Sequence, residues 1–331
     1  MTGAEPFFSI VVPLYDKQAH IGRTLECVAE QSFGNYELIV VDDGSRDRGP
    51  DLVRAWKDAR LEFIQQANAG VSAARNRGAR AARGQWIAFL DADDLWASEH
   101  LEQLRRVIDA FPEASLVGTA FRKIGGEVQE FAPAGEGELS RINYLREIAQ
   151  GEPPFFTSSL AIERETFVQS GGFGPHPIGE DRELVARLAL TNEFAASRRV
   201  TAGYRQDTGG IMDRAGKRWR ADALSTAGDI APAVRTVLAY RETAGSPSMR
   251  RDIDGFVNRY VGYVASSAIV TEDPRLLKAA SRLYRPVPRG RDRVYRILGR
   301  LPLPLIKASF AARSYLARRR RAATASIRPN P

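Results

Sequence analysis

The chain has 331 residues, 44% hydrophobic and 27% charged, with a single cysteine, Cys27. This is a globular composition, long enough for one large domain or a domain plus an appendage, and one cysteine excludes an intramolecular disulfide. The net charge of +8 is concentrated: residues 282–331 hold 14 Lys and Arg against one acid, Asp292, which leaves the first 281 residues at −5.

No run approaches the roughly 18 apolar residues of a membrane-spanning helix. The stretch Met1 to Pro6 has neither a basic n-region nor an apolar h-region. A secretory leader is therefore not expected, and the cytoplasm is the expected compartment.

The run from Phe8 to Tyr15 predicts a buried strand, with Pro13, which lacks an N–H for the ladder, marking its end. Ile21, Leu25 and Val28 at i, i+4 and i+7 predict a helix over 18–31. A second buried strand over 37–41 ends in Asp42-Asp43-Gly44-Ser45, and a short helix over 50–57 leads to a strand over 61–65. Asn68-Ala69-Gly70 turns into a small-residue helix over 71–83 that carries Arg75 and Asn76. The strand 86–90 runs into Asp91-Ala92-Asp93-Asp94. Ser98 is a candidate N-cap for the next helix, which carries Leu101, Leu104, Ile108 and Phe111 and stops at Pro112. Strands are expected over 115–121, 156–163 and 194–200, and helices over 221–240 and 253–270. A breaker-rich loop, Gly171 to Gly179, leads into Glu180-Asp181 at the mouth of a helix.

Strands alternating with helices across short turns predict a mostly parallel α/β sheet covered on both faces. Acidic residues recur at strand ends, where such a sheet binds ligands. Three carboxylates within four positions repel one another unless a cation sits among them or water solvates them. Oxygen donors on a short turn suit Mg²⁺ or Mn²⁺, which takes one or two carboxylates plus substrate phosphates. The alternative is a solvated acidic turn that opens the next helix. Glu180 and Asp181 are open to the same two readings, a helix N-terminal charge or an active-site base.

The pieces form an ordered set: Ser9 to Tyr15, Gln31-Ser32-Phe33, Glu37 to Ser45, Asn68-Ala69-Gly70 with Ala74 to Gly78, Phe89 to Asp94, Gly171-Gly172-Phe173, and Gly179-Glu180-Asp181. This set resembles the family 2 glycosyltransferases, which have the GT-A fold, over roughly residues 8–205. The resemblance implies inverting transfer of a sugar from a nucleotide-diphosphate donor, UDP being favoured, with a divalent metal, Mn²⁺ or Mg²⁺. It implies that Pro13 and Tyr15 line the nucleotide pocket. It further implies that Asp43 accepts from the base with Asp42 beside it, and that Arg75 holds the nucleotide. Asp91 and Asp93 match the Asp-x-Asp motif, Asp93 for the metal and Asp91 for nucleotide or metal. Asp181 matches the general base, with Glu180 beside it in the acceptor site.

One departure stands out. Many relatives carry a His-containing loop after this domain, whereas Tyr204 to Ile211 has none; Arg205 or Asp207 are the nearest substitutes. The Gln-x-x-Arg-Trp motif of processive relatives is also absent, since Ala215 precedes Arg218-Trp219 at that spacing. Single-sugar addition to a glycan or lipid-linked acceptor, in envelope or exopolysaccharide assembly, is the expected function. His20, His100 and His176 are expected to be structural or surface residues.

The expected organisation is a GT-A domain over 1–210, a helical extension over 211–281 and a basic amphipathic tail over 282–331. That tail interleaves cations with Tyr284, Tyr295, Leu298, Ile306 and Phe310, a pattern that suits peripheral attachment to an anionic inner leaflet. Nucleic acid is not the expected partner, because charge alone is nonspecific. A noncatalytic nucleotide-sugar or glycan-binding protein is the rival from another class. A sugar nucleotidyltransferase would need a glycine-rich loop after the first strand, where Pro13-Leu14-Tyr15-Asp16 stands.

Overall fold

The computed structural model describes residues 5–125, 131–151, 153–206, 208, 231–270 and 274–285. The first half alternates β1 (Phe8–Leu14), α1 (Ile21–Ala29), β2 (Tyr36–Asp42), α2 (Gly49–Ala55), β3 (Leu61–Gln65), α3 (Val71–Ala81) and β4 (Trp86–Phe89). There follow β5 (Leu95–Trp96), α4 (His100–Ala110), β6 (Ala114–Ile124), β7 (Leu139–Ile142), α5 (Tyr144–Gln150), β8 (Leu160–Glu163), α6 (Arg164–Gln169), α7 (Glu180–Leu188) and β9 (Glu193–Arg205). Three helices close the described chain: α8 (Pro232–Thr243), α9 (Pro247–Val270) and α10 (Pro274–Leu283).

All nine strands share one sheet in the order β3-β2-β1-β4-β8-β6-β9-β5, with β7 also on β9. The pairs β1–β2, β1–β4, β2–β3 and β6–β9 are parallel. β8 runs antiparallel to both β4 and β6, and β5 and β7 run antiparallel to β9. The sheet is thus α/β but mixed, with β8, β5 and β7 reversed against the parallel strands.

Successive residues of the central strands enter opposite cores. Ile10, Val12 and Leu14 face one layer with Leu38, Val40 and Ala88. Val11, Ile39, Val41, Ile87 and Phe89 face the other. Both faces are covered, which is why these strands read as unbroken apolar runs.

Pro13 does not end β1, which continues to Leu14. Asp43 donates its N–H to Leu14 O, and Leu90 donates to Val11 O. By strand alternation Pro13 therefore points its missing N–H toward the β4 side, where pairing has already stopped at Val11–Phe89. Ser98 is not the N-cap of α4; that position is Glu99, and Ser98 O accepts from Ser32 N.

α3 lies directly on β1 and β2. A Cβ on Gly78 would come within 2.4 Å of Val11 Cγ1, so the helix sits closer than alanine permits. The C-terminal helices are not a separate layer. Val234, Val237, Ile253, Phe256 and Val257 belong to the same buried cluster as Phe89, Phe194 and Leu184. The junction at 281/282 falls inside α10. Tyr284 is buried beyond it, and Asn258 bonds both the N–H and the carbonyl of Arg285. Residues 286–331, and with them most of the basic tail, lie outside the described residues. The same holds for 221–230, the first half of one expected helix.

Candidate active site

β1, β2, β4 and β9 end at one edge of the sheet, and antiparallel β8 begins there. That edge gathers Lys17 and His20 after β1, Asp42 at the end of β2 with Asp43 next to it, the acidic turn after β4, and Arg205 at the end of β9. A 3-10 turn, Thr157–Ser159, enters from the start of β8. α7 brings Glu180 and Asp181 in its first turn.

The three carboxylates of the acidic turn do not share one role. Asp94 turns inward and is 1% exposed. Its Oδ2 accepts from Ser158 Oγ at 2.5 Å and its Oδ1 from the N–H of Arg205 at 2.9 Å. Burial, and after it the charges of Asp93 and Asp91, push its carboxyl well above the usual range. One of the three carboxylates thus leaves the water-facing edge, where burial disfavours its charged form. Ser158 also accepts from Asp91 N, and its carbonyl accepts from Trp96 Nε1, so one buried serine fixes the whole turn.

Asp91 and Asp93 remain at the edge. Arg75, 3% exposed, donates from Nη2 to Asp91 Oδ1 at 2.6 Å and from Nη1 to Glu180 Oε1 at 2.8 Å. One guanidinium thereby joins the turn after β4 to the mouth of α7, positions 89 residues apart in sequence. Burial works against this cation, but Asp91 and Glu180 outweigh it and its pKa is raised. Burial and then the adjacent Asp181 raise the Glu180 carboxyl, while Arg75 pulls it back down.

The neighbouring motif residues set this geometry. Asn76 donates from Nδ2 to Phe173 O and accepts from Phe173 N through Oδ1, both at 2.9 Å, so its amide pairs with the loop like a strand. Gly172 has φ +72°, and a Cβ there would lie 2.5 Å from Asn76 Oδ1. Glycine is required for both reasons. The Phe173 ring stands edge-on to Phe89 with centroids 5.1 Å apart, which seats the loop on the sheet and α7 after it.

Asp42 and Asp43 are both 3% exposed. Asp43 accepts from Ala69 N, Gly70 N and Gln66 Nε2 at 2.8–2.9 Å, which shapes the loop before α3. Asp42 accepts from Ser45 N and Gln65 Nε2. Pro13 is buried, and Tyr15 is 36% exposed at the same edge. Gln31 spans α1, the turn and α4, donating to Cys27 O and Ala97 O and accepting from Leu101 N.

Asp181 is half-buried in the first turn of α7, and its Oδ2 accepts from Thr157 Oγ1 at 3.2 Å. Thr157, Leu160, Ile162, Phe173, Leu184 and Val185 line a small apolar pocket beside it.

Lys17 and Thr208 carried no motif in the sequence, yet both engage the Asp-x-Asp turn. Lys17 Nζ meets Asp93 Oδ2 at 2.5 Å and also bonds the carbonyl and hydroxyl of Thr208. Thr208 Oγ1 donates to the same Asp93 oxygen at 2.6 Å. Beside them Arg205 Nη1 donates to His20 Nδ1 at 3.0 Å. Burial and then Arg205 lower the His20 pKa, so a neutral ring accepts this bond. His20 therefore stands at the site edge, while His100 is fully buried, stacked on Trp96. Asp207 lies outside the described residues.

The Asp91 and Asp93 carboxylates fit a hard divalent ion in donor type. Lys17 and Thr208 both use Oδ2 of Asp93, and Arg75 uses Oδ1 of Asp91, so each side chain keeps a second oxygen. Among the described residues, no three His, Cys, Asp or Glu side chains converge as a ready metal cage. None of the described helices is long and apolar enough to cross a membrane.

Residues 9–169 match the family described as Glycosyl transferase family 2. The chain carries a family 2 glycosyltransferase domain. The glycosyltransferase EpsJ of Bacillus subtilis strain 168 is 35% identical over 130 residues, 39% of this chain and 38% of EpsJ. TuaG of the same organism, whose name assigns it to teichuronic acid biosynthesis, is 35% identical over 106 residues, 31% of this chain and 42% of TuaG. A glycosyltransferase of Haemophilus influenzae is 38% identical over 165 residues, 49% of this chain and 64% of that protein. The chain thus spans between about a third and two thirds of these curated relatives. Among solved structures, S. aureus TarS 1–349 with UDP-GlcNAc gives a TM-score of 0.69 at 18% identity, covering 92% of this chain and 91% of that one. The mannosyltransferase PcManGT from Pyrobaculum calidifontis, with GDP-Man and Mn²⁺, gives 0.56 at 19% identity, covering 95% and 81%. At these identities the likeness is one of fold, and the glycosyltransferase domain has the GT-A architecture.

Proposed function

We propose that the protein transfers a single sugar, with inversion, from a nucleotide-diphosphate sugar to a glycan or lipid-linked acceptor in envelope or exopolysaccharide assembly. UDP is the preferred carrier. The observation that carries this reading is the Arg75 bridge, which brings Asp91 of the donor motif and the Glu180-Asp181 pair to one sheet edge. The UDP-GlcNAc held by TarS, the GDP-Man held by PcManGT and the teichuronic acid role in TuaG's name support the donor and acceptor classes.

In this reading the acceptor hydroxyl attacks the anomeric carbon from the face opposite the diphosphate. The carbon–oxygen bond to the diphosphate breaks, and its electron pair stays on the leaving oxygen. Asp181 takes the acceptor proton, a task for a carboxylate within hydrogen-bond reach that Thr157 orients. Glu180, bound to Arg75, holds α7 against the donor motif and shapes the acceptor side. Asp42 and Asp43 brace the loops that face the nucleotide base, where Asp43 would accept from it, and Pro13 and Tyr15 line that pocket. Asp93 and Asp91 would hold the divalent ion, which when bound neutralises charge on the departing diphosphate.

The test is calorimetric titration of UDP, GDP and dTDP, with and without Mn²⁺, into wild type and Asp93→Ala. Binding of one nucleotide, weakened in the variant, is expected. Nucleotide binding without any donor turnover, even with envelope glycans supplied, would instead support the noncatalytic binding protein. Attachment of residues 282–331 to an anionic inner leaflet is also part of the proposal, and liposome sedimentation tests it. The truncation belongs after residue 285, because Tyr284 and Arg285 are fastened to α9. Equal sedimentation of full-length protein and 1–285 would refute it.

A further inference from the structure

Lys17 is a cation at this edge that the donor reading leaves without a task. It follows β1, and no motif of the chain includes it. Its side chain is 16% exposed and that of Asp93 15%, so the pair is largely withdrawn from water without being sealed. The ammonium is fixed from three directions, by Asp93 Oδ2 at 2.5 Å and by the hydroxyl and carbonyl of Thr208 at 3.2 Å each. A lysine that served only to satisfy a surface carboxylate would not need two further acceptors from a residue 191 positions away.

The location decides what such a cation can do. Asp93 belongs to the turn assigned to the donor's diphosphate. A divalent ion at Asp93 would sit beside the Lys17 ammonium, so each positive charge weakens the binding of the other. Lysine binds phosphate as a compact point charge. Arg205 lies alongside, bonded to His20, and adds positive charge to this side of the site.

We propose that Lys17 is a protein-borne cation of the donor site, which holds the Asp93 seat against divalent ions in the free protein and supplies positive charge to the nucleotide diphosphate. This rests on the donor reading above. Two measurable consequences follow. Nucleotide diphosphate binds in the presence of chelator, through Lys17. Removing the ammonium strengthens the hold of Asp93 on a divalent ion.

The experiment uses the full chain as wild type, Lys17→Met and Lys17→Arg, each checked for a wild-type circular dichroism spectrum. UDP is titrated calorimetrically in EDTA, and Mn²⁺ binding to nucleotide-free protein is read from the free-ion electron paramagnetic resonance signal. Loss of a charged hydrogen-bond partner predicts about a ten- to hundredfold weaker UDP affinity for K17M in EDTA. K17R retains most of it. Mn²⁺ binding to K17M is expected to tighten on the order of tenfold as the competing charge is removed. UDP affinity in EDTA that K17M leaves unchanged overturns the proposal, as does Mn²⁺ affinity that does not rise. Wild type that binds UDP only with Mn²⁺ also overturns it, while leaving the donor reading intact. Wild type that binds no nucleotide under any condition overturns the donor reading together with this proposal. Should K17M not fold, K17R alone decides through its UDP affinity in EDTA: retained binding supports the protein-borne cation, and abolished binding overturns it.

Discussion

Replacing Arg75 with methionine removes a guanidinium that is 3% exposed and bonded to two carboxylates. Breaking a buried ion pair from one side costs roughly 3–5 kcal/mol, because the remaining charge stays buried and unpaired. Two features pull the value toward the low end. The Asp91 side chain is 30% exposed and can be rehydrated. Glu180 can take up a proton, since Arg75 is the group that holds its raised pKa down. A loss of about 3 kcal/mol is therefore expected, or a melting temperature lower by roughly 6–12 °C for a domain of this size. The sign of the pH dependence follows. A carboxyl whose folded pKa lies above its unfolded value binds more protons when folded, so stability falls as pH rises toward and through the folded pKa. Urea denaturation at pH 5 and pH 8 should thus show the larger deficit at pH 8. The double variant Arg75→Met/Glu180→Gln removes the stranded charge and should recover 1 kcal/mol or more, within the range of about 0.5–3 for contacting pairs. A single-variant loss below about 1 kcal/mol, or a double variant no more stable than the single, would refute the bridge as the link between the two motifs.

Asp94→Asn keeps the shape of the carboxyl while removing its charge, and should cost less than Asp94→Ala. Wild type should lose stability as pH rises from the unfolded aspartate range toward the raised Asp94 pKa, and the Asn variant should lack that slope in denaturation at stepped pH. Asp94→Ala leaves Ser158 and the Arg205 N–H without their acceptor and should cost about 2–4 kcal/mol. Asp181→Asn should lower the transfer rate about 10²- to 10⁴-fold in a donor-turnover assay, with nucleotide affinity within twofold of wild type; weakened nucleotide binding would move Asp181 to the donor side. Gly78→Ala forces a methyl into Val11 and should destabilise by about 1–3 kcal/mol in thermal unfolding, whereas Gly22→Ala, with open space around it, should not destabilise.

The central strands were legible because both of their faces are buried, and unbroken runs such as Ile10 to Leu14 leave little choice of element. β5 has two residues and β7 four, too few for any period to show, and both exist only because β9 offers an edge. The reversal of β8 was not legible, since strand direction depends on the connection and not on the run itself. The site residues divide in the same way. Asp91, Asp93 and Asp94 look equivalent as letters. What separates them is Ser158 before β8, Arg75 in α3 and Lys17 after β1, which become neighbours only once the fold is assembled. Lys17 gave no signal beyond its place just after the first strand. Ser158 gave none.

The described core runs on to Tyr284, while the family match stops at residue 169. α8 lies on α7, and α9 lies on α5, so the last helices form a wall of the same interior that supports Glu180 and Asp181. Anyone building a chimera by cutting at the edge of the recognisable motifs would strip Val237 and Phe256 from that interior and bare its apolar lining. The unit that can be traded between relatives is therefore larger than the stretch the family match covers, and any such swap has to carry the C-terminal helices with it.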